Sequence, residues 1–331
     1  MSIGRNETDP SRLLALFEPP KPLVEVAVRA CRGFNSLLDS VFYDVPTLTR
    51  ELHSRDRVVG PGAKPPSRLI SFDALSDPEG SLLLIDANTP PYVHIYRNVK
   101  LYLRSPHPET REVAIATITG VGSSALGSAA LAWDVSTALR QPVLAIVPGY
   151  GVADVVLQGL GGWFGFGLYN YLNAKGVIQE GLAVAAPDTA AVGRRLSASA
   201  PGAKTANGGP VFRFGSGSSD VLHDLLKDRD PRFKLVVGHS KGALQIGNAI
   251  QSLPRERTEG LRVVTLGCPI AENVQGVEYH QYLGLFDALG QLNAWGNLPE
   301  HWPPTWHTTN PTLPPAMAAG KFAEESDTPR R

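Results

Sequence analysis

One short segment of the chain has the residue types and spacing of a nucleophilic serine. Residues 238–242 read Gly-His-Ser-Lys-Gly, with Ser240 at the centre. Where a strand turns sharply into a helix at such a serine, the hydroxyl projects above the sheet edge, and the helix N-terminus favours negative charge that develops there. The turn crowds the positions two before and two after the serine, where glycine removes the Cβ atom. Ser240 is therefore our candidate for attack on a carbonyl carbon.

The neighbouring sequence supports this interpretation. The apolar residues 235–237 predict a strand immediately before the motif, and residues 241–253 have the amphipathic pattern of a helix immediately after it. A strand before and a helix after are the context that the motif requires. In a chain rich in glycine and serine the five-residue pattern also arises by chance, so an ordinary glycine-bounded turn stays open.

A serine nucleophile needs a carboxylate to orient its base. In proteins with this kind of turn the chain order is serine, acid and then histidine. Asp287 follows the apolar residues 282–286, so we expect it to be the acid. Its alternative role is to cap a following helix. Glu272 and Glu278 are weaker rivals for the acidic role.

The general base must be a histidine that comes after the acid in the chain. Of the eight histidines, His301 and His307 alone follow Asp287. We favour His307, because it lies in a predicted loop where it could approach the serine. His301, which lies among prolines, is the alternative.

Two backbone N–H groups are needed to bind the oxyanion of a tetrahedral intermediate. One is expected from Lys241, directly after the serine, and the other from the loop after an earlier strand. Residues 143–147 predict such a strand, and Gly149 and Tyr150 follow it in a glycine-flanked turn. They are our candidates for the second donor, although an ordinary turn after a strand would have the same sequence.

Three segments resemble one protein family. Residues 236–243 (Val-Val-Gly-His-Ser-Lys-Gly-Ala) resemble the nucleophile elbow of α/β-hydrolases. Residues 263–269 (Val-Val-Thr-Leu-Gly-Cys-Pro) are similar to the strand after the elbow helix in class 3 (fungal-type) lipases. Residues 282–289 (Tyr-Leu-Gly-Leu-Phe-Asp-Ala-Leu) are similar to the strand that ends in the acidic triad member of that family. The resemblance implies that His239, which is not the base in such proteins, is a packing residue.

The predicted elements favour an α/β fold, with a mostly parallel sheet and helices on both faces, because short apolar strands alternate with helices from residue 111 onward. In the first part of the chain, turn residues separate three predicted strands at 81–86, 92–96 and 100–104. We divide the chain into three parts: an N-terminal helical and strand-rich extension (1–110), an α/β-hydrolase core (111–318) and a flexible tail (319–331).

Composition restricts the partners. Hydrophobic residues make up 43% of the 331 residues, which is enough for a large core. The 31 basic residues balance 31 acidic ones, so no general charge attracts nucleic acid or an anionic membrane. The two cysteines, Cys31 and Cys268, lie outside any metal-ligand pattern, so we expect free thiols rather than a zinc site, with one disulfide as the alternative. Catalysis by a serine, a histidine and a carboxylate would need no metal and no organic cofactor. The N-terminus lacks the apolar run of a signal peptide, which favours the cytoplasm.

Two uncharged segments, 113–133 and 155–173, are near the length of a membrane span. A strand, a turn at Gly120 and Gly122 and a helix explain the first segment better than a span does. The same glycines begin a weak dinucleotide-binding pattern, in which the third glycine is displaced. Glycines and aromatic residues at 159–172 indicate either an acyl pocket or lid, or a buried helix.

These features favour a serine hydrolase that cleaves a carboxylic ester through an acyl-enzyme on Ser240. The apolar residues at 155–172 favour a small-molecule ester that is hydrophobic or bears an acyl chain, with peripheral membrane contact as an option. The alternatives are a catalytically inactive binding protein with a hydrolase fold, and a membrane-associated protein. Hydrolysis and acyl transfer both stay open because they share the acyl-enzyme, and the oligomeric state stays open as well.

Overall fold

The computed structural model describes a β-sheet and the helices around it. It covers residues 25–26, 30, 37–58, 80–105, 110, 113–120, 123–148, 217–230, 232–251, 253–292, 294 and 297–327.

Seven strands in these residues form one sheet, in the order β2-β1-β4-β3-β5-β6-β7. They are β1 (Leu82–Ile85), β2 (Val93–Tyr96), β3 (Ile115–Ile118), β4 (Val143–Ile146), β5 (Leu235–His239), β6 (Leu261–Leu266) and β7 (Val277–Tyr282). Strands β3 to β7 are parallel to one another, whereas β1 is antiparallel to both β2 and β4. The central strands are buried along their length, as expected for parallel strands that are covered on both faces.

Helices connect and cover these strands. They are α1 (Val45–Val58), α2 (Val99–Leu103), α3 (Ala125–Leu139), α4 (Gly217–Asp228), α5 (Lys241–Ile250), α6 (Arg255–Thr258), α7 (Ala288–Leu292) and α8 (Ala319–Asp327). Residues 37–42, just before α1, are also helical.

The two faces of the sheet are covered by different helices, because strand residues alternate between the faces. On one face, Leu83 and Ile85 of β1 belong to a buried apolar cluster with residues of α1, α3 and α8. On the other face, Leu82 and Leu84 belong to a second cluster with residues of α2, α4 and α5. The structure thus has the predicted α/β architecture, with a mostly parallel sheet and helices on both faces.

The strand predicted at residues 100–104 is wrong, because these residues belong to α2 and its C-cap. The Asn98 side chain accepts a hydrogen bond from the Leu101 N–H and so caps the first turn of the helix. Val99 and Tyr102 are buried on one side of the helix. Their helical spacing overrides the strand-like alternation of the predicted segment.

The strand predicted at residues 282–286 is displaced in the structure. β7 ends at Tyr282, and the chain then forms a turn. The N–H groups of Leu285 and Phe286 donate to carbonyls of residues 303 and 305, so this segment is held against a second loop. Asp287 is consequently a loop residue.

The predicted boundary at residue 110 does not divide the fold. β1 pairs with β4 along its length, with Leu82 opposite Ile146 and Ile85 opposite Val143. β2 pairs with β1, so both strands continue the sheet to its edge. The described part of the predicted extension is therefore built into the core, because its strands bury apolar side chains against the rest of the sheet.

The predicted flexible tail is wrong for residues 319–327, which form α8 and pack against α3. Ala319 and Ala323 are fully buried, and the Gly320 N–H donates to Asp134 Oδ2 at 2.9 Å. Small side chains allow the two helices to approach closely. A segment with few large apolar residues is thus fixed by close packing and a hydrogen bond.

None of the helices in the described part of the chain is long and apolar enough to cross a membrane. The uncharged residues 113–133 contain β3 and the first part of α3, as the strand-turn-helix interpretation predicts. Residues 155–173, residues 328–331 and Cys31 lie outside the described residues. Cys268 is buried and is not part of a disulfide.

We expect Gly320→Ala to destabilise the protein, although alanine favours helices. A Cβ atom there would lie 2.8 Å from the Asp134 carbonyl oxygen and 2.9 Å from Ala138 Cβ, and such overpacking costs about 1–3 kcal/mol. The matched control is Gly247→Ala in α5, where the nearest atom lies 3.7 Å away. There the higher helix propensity should stabilise the protein by about 1 kcal/mol. Urea unfolding measures both effects, and wild-type stability of Gly320→Ala would contradict the close packing of α8.

Candidate active site

Ser240 lies at a strained turn between β5 and α5. The strand ends at His239 and the helix begins at Lys241, so the serine alone changes the direction of the chain. Its φ of 55° and ψ of −127° are costly for a residue that has a side chain. The Ser240 N–H donates to the Leu266 carbonyl of β6 at 2.8 Å, and this hydrogen bond helps to hold the turn.

Helix α5 lies so close to the sheet that both glycines of the motif are needed. A Cβ atom at Gly242 would overlap the Ile118 carbonyl oxygen and lie 2.7 Å from that of Thr119. A Cβ atom at Gly238 would lie 2.8 Å from the Ala243 backbone nitrogen. These neighbours are backbone atoms, so no side-chain rotation relieves the overlap. The steric role that the spacing predicts for these two glycines is confirmed.

The structure brings Ser240, His307 and Asp287 together in one chain of hydrogen bonds. His307 Nε2 lies 2.9 Å from Ser240 Oγ, and His307 Nδ1 lies 2.7 Å from Asp287 Oδ2. The second carboxylate oxygen accepts from the Gly290 N–H at 2.6 Å. Asp287 is 1% exposed, and Ser240 and His307 are 7% and 8% exposed, so the three groups interact away from bulk water.

These contacts fix the positions of the protons when Asp287 is ionised and His307 is neutral. The Nδ1–H of His307 donates to the carboxylate, which leaves Nε2 to accept the serine hydroxyl. In this tautomer His307 can remove the hydroxyl proton, and Asp287 can stabilise the imidazolium that forms. The arrangement is able to perform general base catalysis at Ser240.

The alternative acids and base make other contacts. The His301 side chain is 46% exposed, and its ring stacks on Tyr282 with the centroids 4.6 Å apart. Glu272 accepts from the side-chain amide of Gln281, and Glu278 Oε1 lies 3.2 Å from Nε2 of His280 on the same strand. These interactions are separate from the hydrogen bonds that join Ser240 to its partners.

Gly267 is a further residue of the site, which the predictions from the sequence do not include. Its φ is +71°, and a Cβ atom there would lie 2.8 Å from His307 Nδ1 and 3.0 Å from Asp287 Oδ2. The glycine therefore makes room for the histidine–carboxylate pair at the end of β6. It belongs to residues 263–269, one of the segments that resemble lipases, so the sequence does contain a signal for it.

Of the predicted oxyanion donors, Lys241 is among the residues that the structure describes. Lys241 is buried and begins α5, so its N–H lies at the helix N-terminus directly after the serine. Gly149 and Tyr150 lie outside the described residues, and β4, which precedes them, is separated from β5 by β3. At the end of β3, a Cβ atom on Gly120 would lie 3.1 Å from Ser240 Cβ. The loop after β3 thus begins beside the serine.

His239, interpreted from the sequence as a packing residue, also makes two hydrogen bonds. Its Nδ1 lies 2.8 Å from Tyr43 Oη, and its Nε2 lies 2.8 Å from the His307 carbonyl oxygen. Tyr43 Oη also accepts from the Gly120 N–H at 2.7 Å. A tyrosine of the N-terminal segment therefore reaches the residue before Ser240 and the loop beside it.

Asp39 holds the other end of the loop that begins at Gly120. Its Oδ2 accepts from the Ser124 N–H at 2.8 Å and from Ser124 Oγ at 2.6 Å, just before α3 begins. A Cβ atom at Gly127 would overlap the carboxylate, so glycine permits this approach. Burial raises the pKa of Asp39 to about 6, and the hydrogen bonds from Ser124 oppose part of the rise.

Comparisons with protein-family models, curated proteins and solved structures give no match. Within the part of the chain that the structure describes, no group of three or more His, Cys, Asp or Glu side chains is arranged to hold a metal ion.

We expect the contribution of Asp39 to stability to decrease as the pH rises from about 4 to above 6. The folded pKa of about 6 exceeds the ~4 of an unfolded aspartate, so the folded state binds more protons in this window. The contribution is complete below about pH 4 and is lost as the pH rises through the folded pKa.

The matched variant is Asp39→Asn, which keeps an acceptor for Ser124 but does not titrate. Tm measured for both proteins at about pH 4 and about pH 8 gives the difference between wild type and variant, in which the other titrating groups cancel. The difference should favour the wild type more at the lower pH. A difference that is independent of pH would contradict the assigned pKa.

Proposed function

We propose that this protein is a serine hydrolase that cleaves a carboxylic ester through an acyl-enzyme on Ser240. The observation that carries the proposal is the hydrogen-bond chain from Ser240 through His307 to Asp287 at a strained turn. Backbone strain of this kind persists only where the surrounding structure enforces it, and it clusters at functional sites. An imidazole between a serine hydroxyl and a buried carboxylate is the arrangement that activates serine as a nucleophile.

In the first half of the proposed reaction, Ser240 Oγ attacks the ester carbonyl carbon while His307 Nε2 takes the hydroxyl proton. The tetrahedral intermediate collapses as the C–O bond to the alcohol breaks, and the His307 imidazolium returns the proton to the leaving oxygen. In the second half, His307 activates a water molecule that attacks the acyl-enzyme. The bond to Ser240 then breaks, the acid leaves, and His307 returns the proton to Ser240 Oγ. Asp287 stays ionised and orients the ring throughout.

We assign oxyanion binding to the Lys241 N–H and to the loop between β3 and α3. Lys241 lies at the N-terminus of α5, where the helix dipole favours negative charge. We prefer the loop after β3 to Gly149 and Tyr150, because Gly120 at its start lies beside Ser240. Backbone donors fixed around the reacting carbonyl contribute about 3–4 kcal/mol each to catalysis in serine hydrolases.

The topology supports an α/β-hydrolase fold as part of the proposal. In that fold the nucleophile follows a parallel strand inside the sheet, and the acid and the histidine follow later in the chain. Here Ser240 follows β5, which lies between β3 and β6. Asp287 and His307 come after β7 in the expected order, and both return to the end of β5.

We further propose that the substrate is a hydrophobic ester with an acyl chain. Between residues 288 and 320, Glu300 is the only acidic or basic residue apart from histidines. Large apolar side chains are exposed on the segments that flank Asp287 and His307, namely Leu285, Phe286, Leu292, Leu298, Trp302, Trp306 and Leu313. An apolar surface with a single acidic residue, on the segments that carry Asp287 and His307, suits an acyl chain, and the same chemistry suits peripheral contact with a lipid surface.

We expect a fluorophosphonate probe to label the wild-type protein at Ser240, because only an activated serine reacts readily. Ser240→Ala should abolish labelling and lower hydrolysis of p-nitrophenyl esters by roughly 10³–10⁶-fold. Asp287→Asn should lower it by about 10⁴-fold, since the amide favours the wrong histidine tautomer. His301→Gln is the control and should keep wild-type turnover. Turnover retained by pure Ser240→Ala, or labelling at another residue, would overturn the proposal.

The same experiment separates the alternatives. A folded wild-type protein that the probe does not label would favour the catalytically inactive binding protein. For an active protein, added alcohol acceptors distinguish acyl transfer from hydrolysis, because transfer produces a new ester while hydrolysis releases the acid.

We expect Phe286→Ser to raise KM for a p-nitrophenyl decanoate and to leave KM for the acetate almost unchanged. Loss of contact with an apolar side chain costs about 1–3 kcal/mol, which is roughly a tenfold change in KM or more. The matched control is Leu101→Ser, because Leu101 is 52% exposed on α2, at the opposite edge of the sheet. Equal KM changes for both esters would argue against an acyl chain at this surface.

A further inference from the structure

Tyr43, His239 and His307 form a buried polar chain beside the proposed nucleophile. Tyr43 and His239 are each 1% exposed, so their polar atoms depend on protein partners. The His239 ring lies edge-on to the Tyr43 ring with centroids 5.3 Å apart, and 5.0 Å from the His307 ring. His239 is therefore enclosed between an N-terminal tyrosine and the proposed general base.

Each hydrogen bond in this chain has a fixed direction. The Gly120 N–H can only donate, so Tyr43 Oη accepts from it. The His307 carbonyl can only accept, so His239 Nε2 carries a proton. With His239 neutral, its Nδ1 has a lone pair, and the Tyr43 hydroxyl donates its single proton to that atom. Tyr43 Oη thus satisfies two buried polar groups, the Gly120 N–H and His239 Nδ1.

A neutral His239 is also what the neighbouring base requires. Burial, and next the charge of His307, lower the pKa of His239 to about 3. A positive His239 would oppose the imidazolium that forms on His307 during the proposed reaction. It would also remove the lone pair that accepts the Tyr43 proton. The directions of these hydrogen bonds therefore require a neutral His239. A second imidazole thus lies beside the proposed base without adding a second positive charge.

We infer that Tyr43 is a positioning residue for the proposed reaction, which acts through His239 on the peptide of His307 and directly on Gly120. The inference rests on the proposed function, because the position of His307 matters for turnover only if it is the base. The His307 ring can lie 2.9 Å from Ser240 Oγ only while the backbone of His307 keeps its position relative to the serine. The hydrogen bond from His239 to the His307 carbonyl supplies one such restraint.

The N-terminal segment supports Tyr43 on both sides. Asp39, one helical turn earlier, is bonded to Ser124, and the Tyr43 N–H donates to the Asp39 carbonyl at 2.8 Å. On the other side, the Thr309 N–H donates to the Phe42 carbonyl at 2.9 Å. The segment that carries the tyrosine is thus fixed to the start of α3 and to the loop of His307.

The test compares Tyr43→Phe with Tyr102→Phe. Tyr102 is also 1% exposed, and its hydroxyl donates to the Thr110 carbonyl, so the control likewise removes a buried tyrosine hydroxyl and its donated hydrogen bond, but on α2. Both variants should lose Tm to a similar degree. Tyr43→Phe alone should lower kcat by about 10–100-fold with KM almost unchanged, since small displacements of reacting groups have effects of this size. A kcat for Tyr43→Phe within about twofold of the control overturns the inference.

A second pair of variants separates positioning from packing. His239→Gln keeps a donor and an acceptor side by side, so it should retain most of the wild-type kcat. His239→Leu keeps an apolar volume without either group, so its kcat should fall as in Tyr43→Phe. Equal kcat values for the two variants would mean that His239 acts through packing alone and would overturn the chain as a positioning device.

A readout besides activity is the ¹⁵N NMR signature of His239, assigned by its loss in His239→Gln. The wild type should show a neutral ring with the proton on Nε2 from about pH 5 to pH 8, and the signature should change in Tyr43→Phe. A ring that titrates in this range, or carries its proton on Nδ1, overturns the inference. If the fluorophosphonate probe does not label the wild type, the proposed function fails and this role fails with it. If the probe labels wild type and Tyr43→Phe at the same rate, the inference fails alone.

Discussion

The close contact between the first turn of α5 and the end of β3 is the constraint on which the site depends. Gly242 lies against the carbonyls of Ile118 and Thr119, so α5 begins almost on the surface of the sheet. The chain must therefore reverse within one residue, and Ser240 takes a positive φ to do so. The same contact brings the end of β3, and with it Gly120, beside the serine. The strained serine and the loop beside it thus have one common steric cause.

The parts of the site that the sequence predicts are those determined by nearby residues or by the order of residues along the chain. Gly238 and Gly242 stand two residues from Ser240, so their spacing carries the geometry of the turn. Asp287 and His307 are predicted by chain order, and the choice between His307 and His301 needs the structure. It depends on which ring reaches the serine, and His301 is instead stacked on Tyr282 at the surface.

The parts that the sequence does not predict depend on contacts between distant residues. Tyr43 has no local feature that marks it, because its partners are 77 and 196 residues away. The packing of α8 cannot be predicted from the sequence for a similar reason, because the role of Gly320 depends on its contact with Asp134 on another helix. In α2 the alternation of apolar residues indicates a strand, whereas burial of Val99 and Tyr102 in one cluster with residues of α4 and α5 favours a helix. Long-range packing thus determines the structure at positions where local sequence patterns are weak or ambiguous.

The hydrogen bonds between residues 42 and 309 have a consequence for the synthesis of the protein. Thr309 bonds the Phe42 carbonyl across a separation of 267 residues, next to the imidazole that approaches Ser240. During synthesis, the helical residues 37–42 and the turn at Ser240 leave the ribosome before the segment that contains His307. Contacts so distant along the chain form late, because closing a long loop is entropically unfavourable. The polypeptide therefore cannot assemble the proposed nucleophile and base until the segment that contains His307 has been translated, and a product terminated before that segment would lack a complete site.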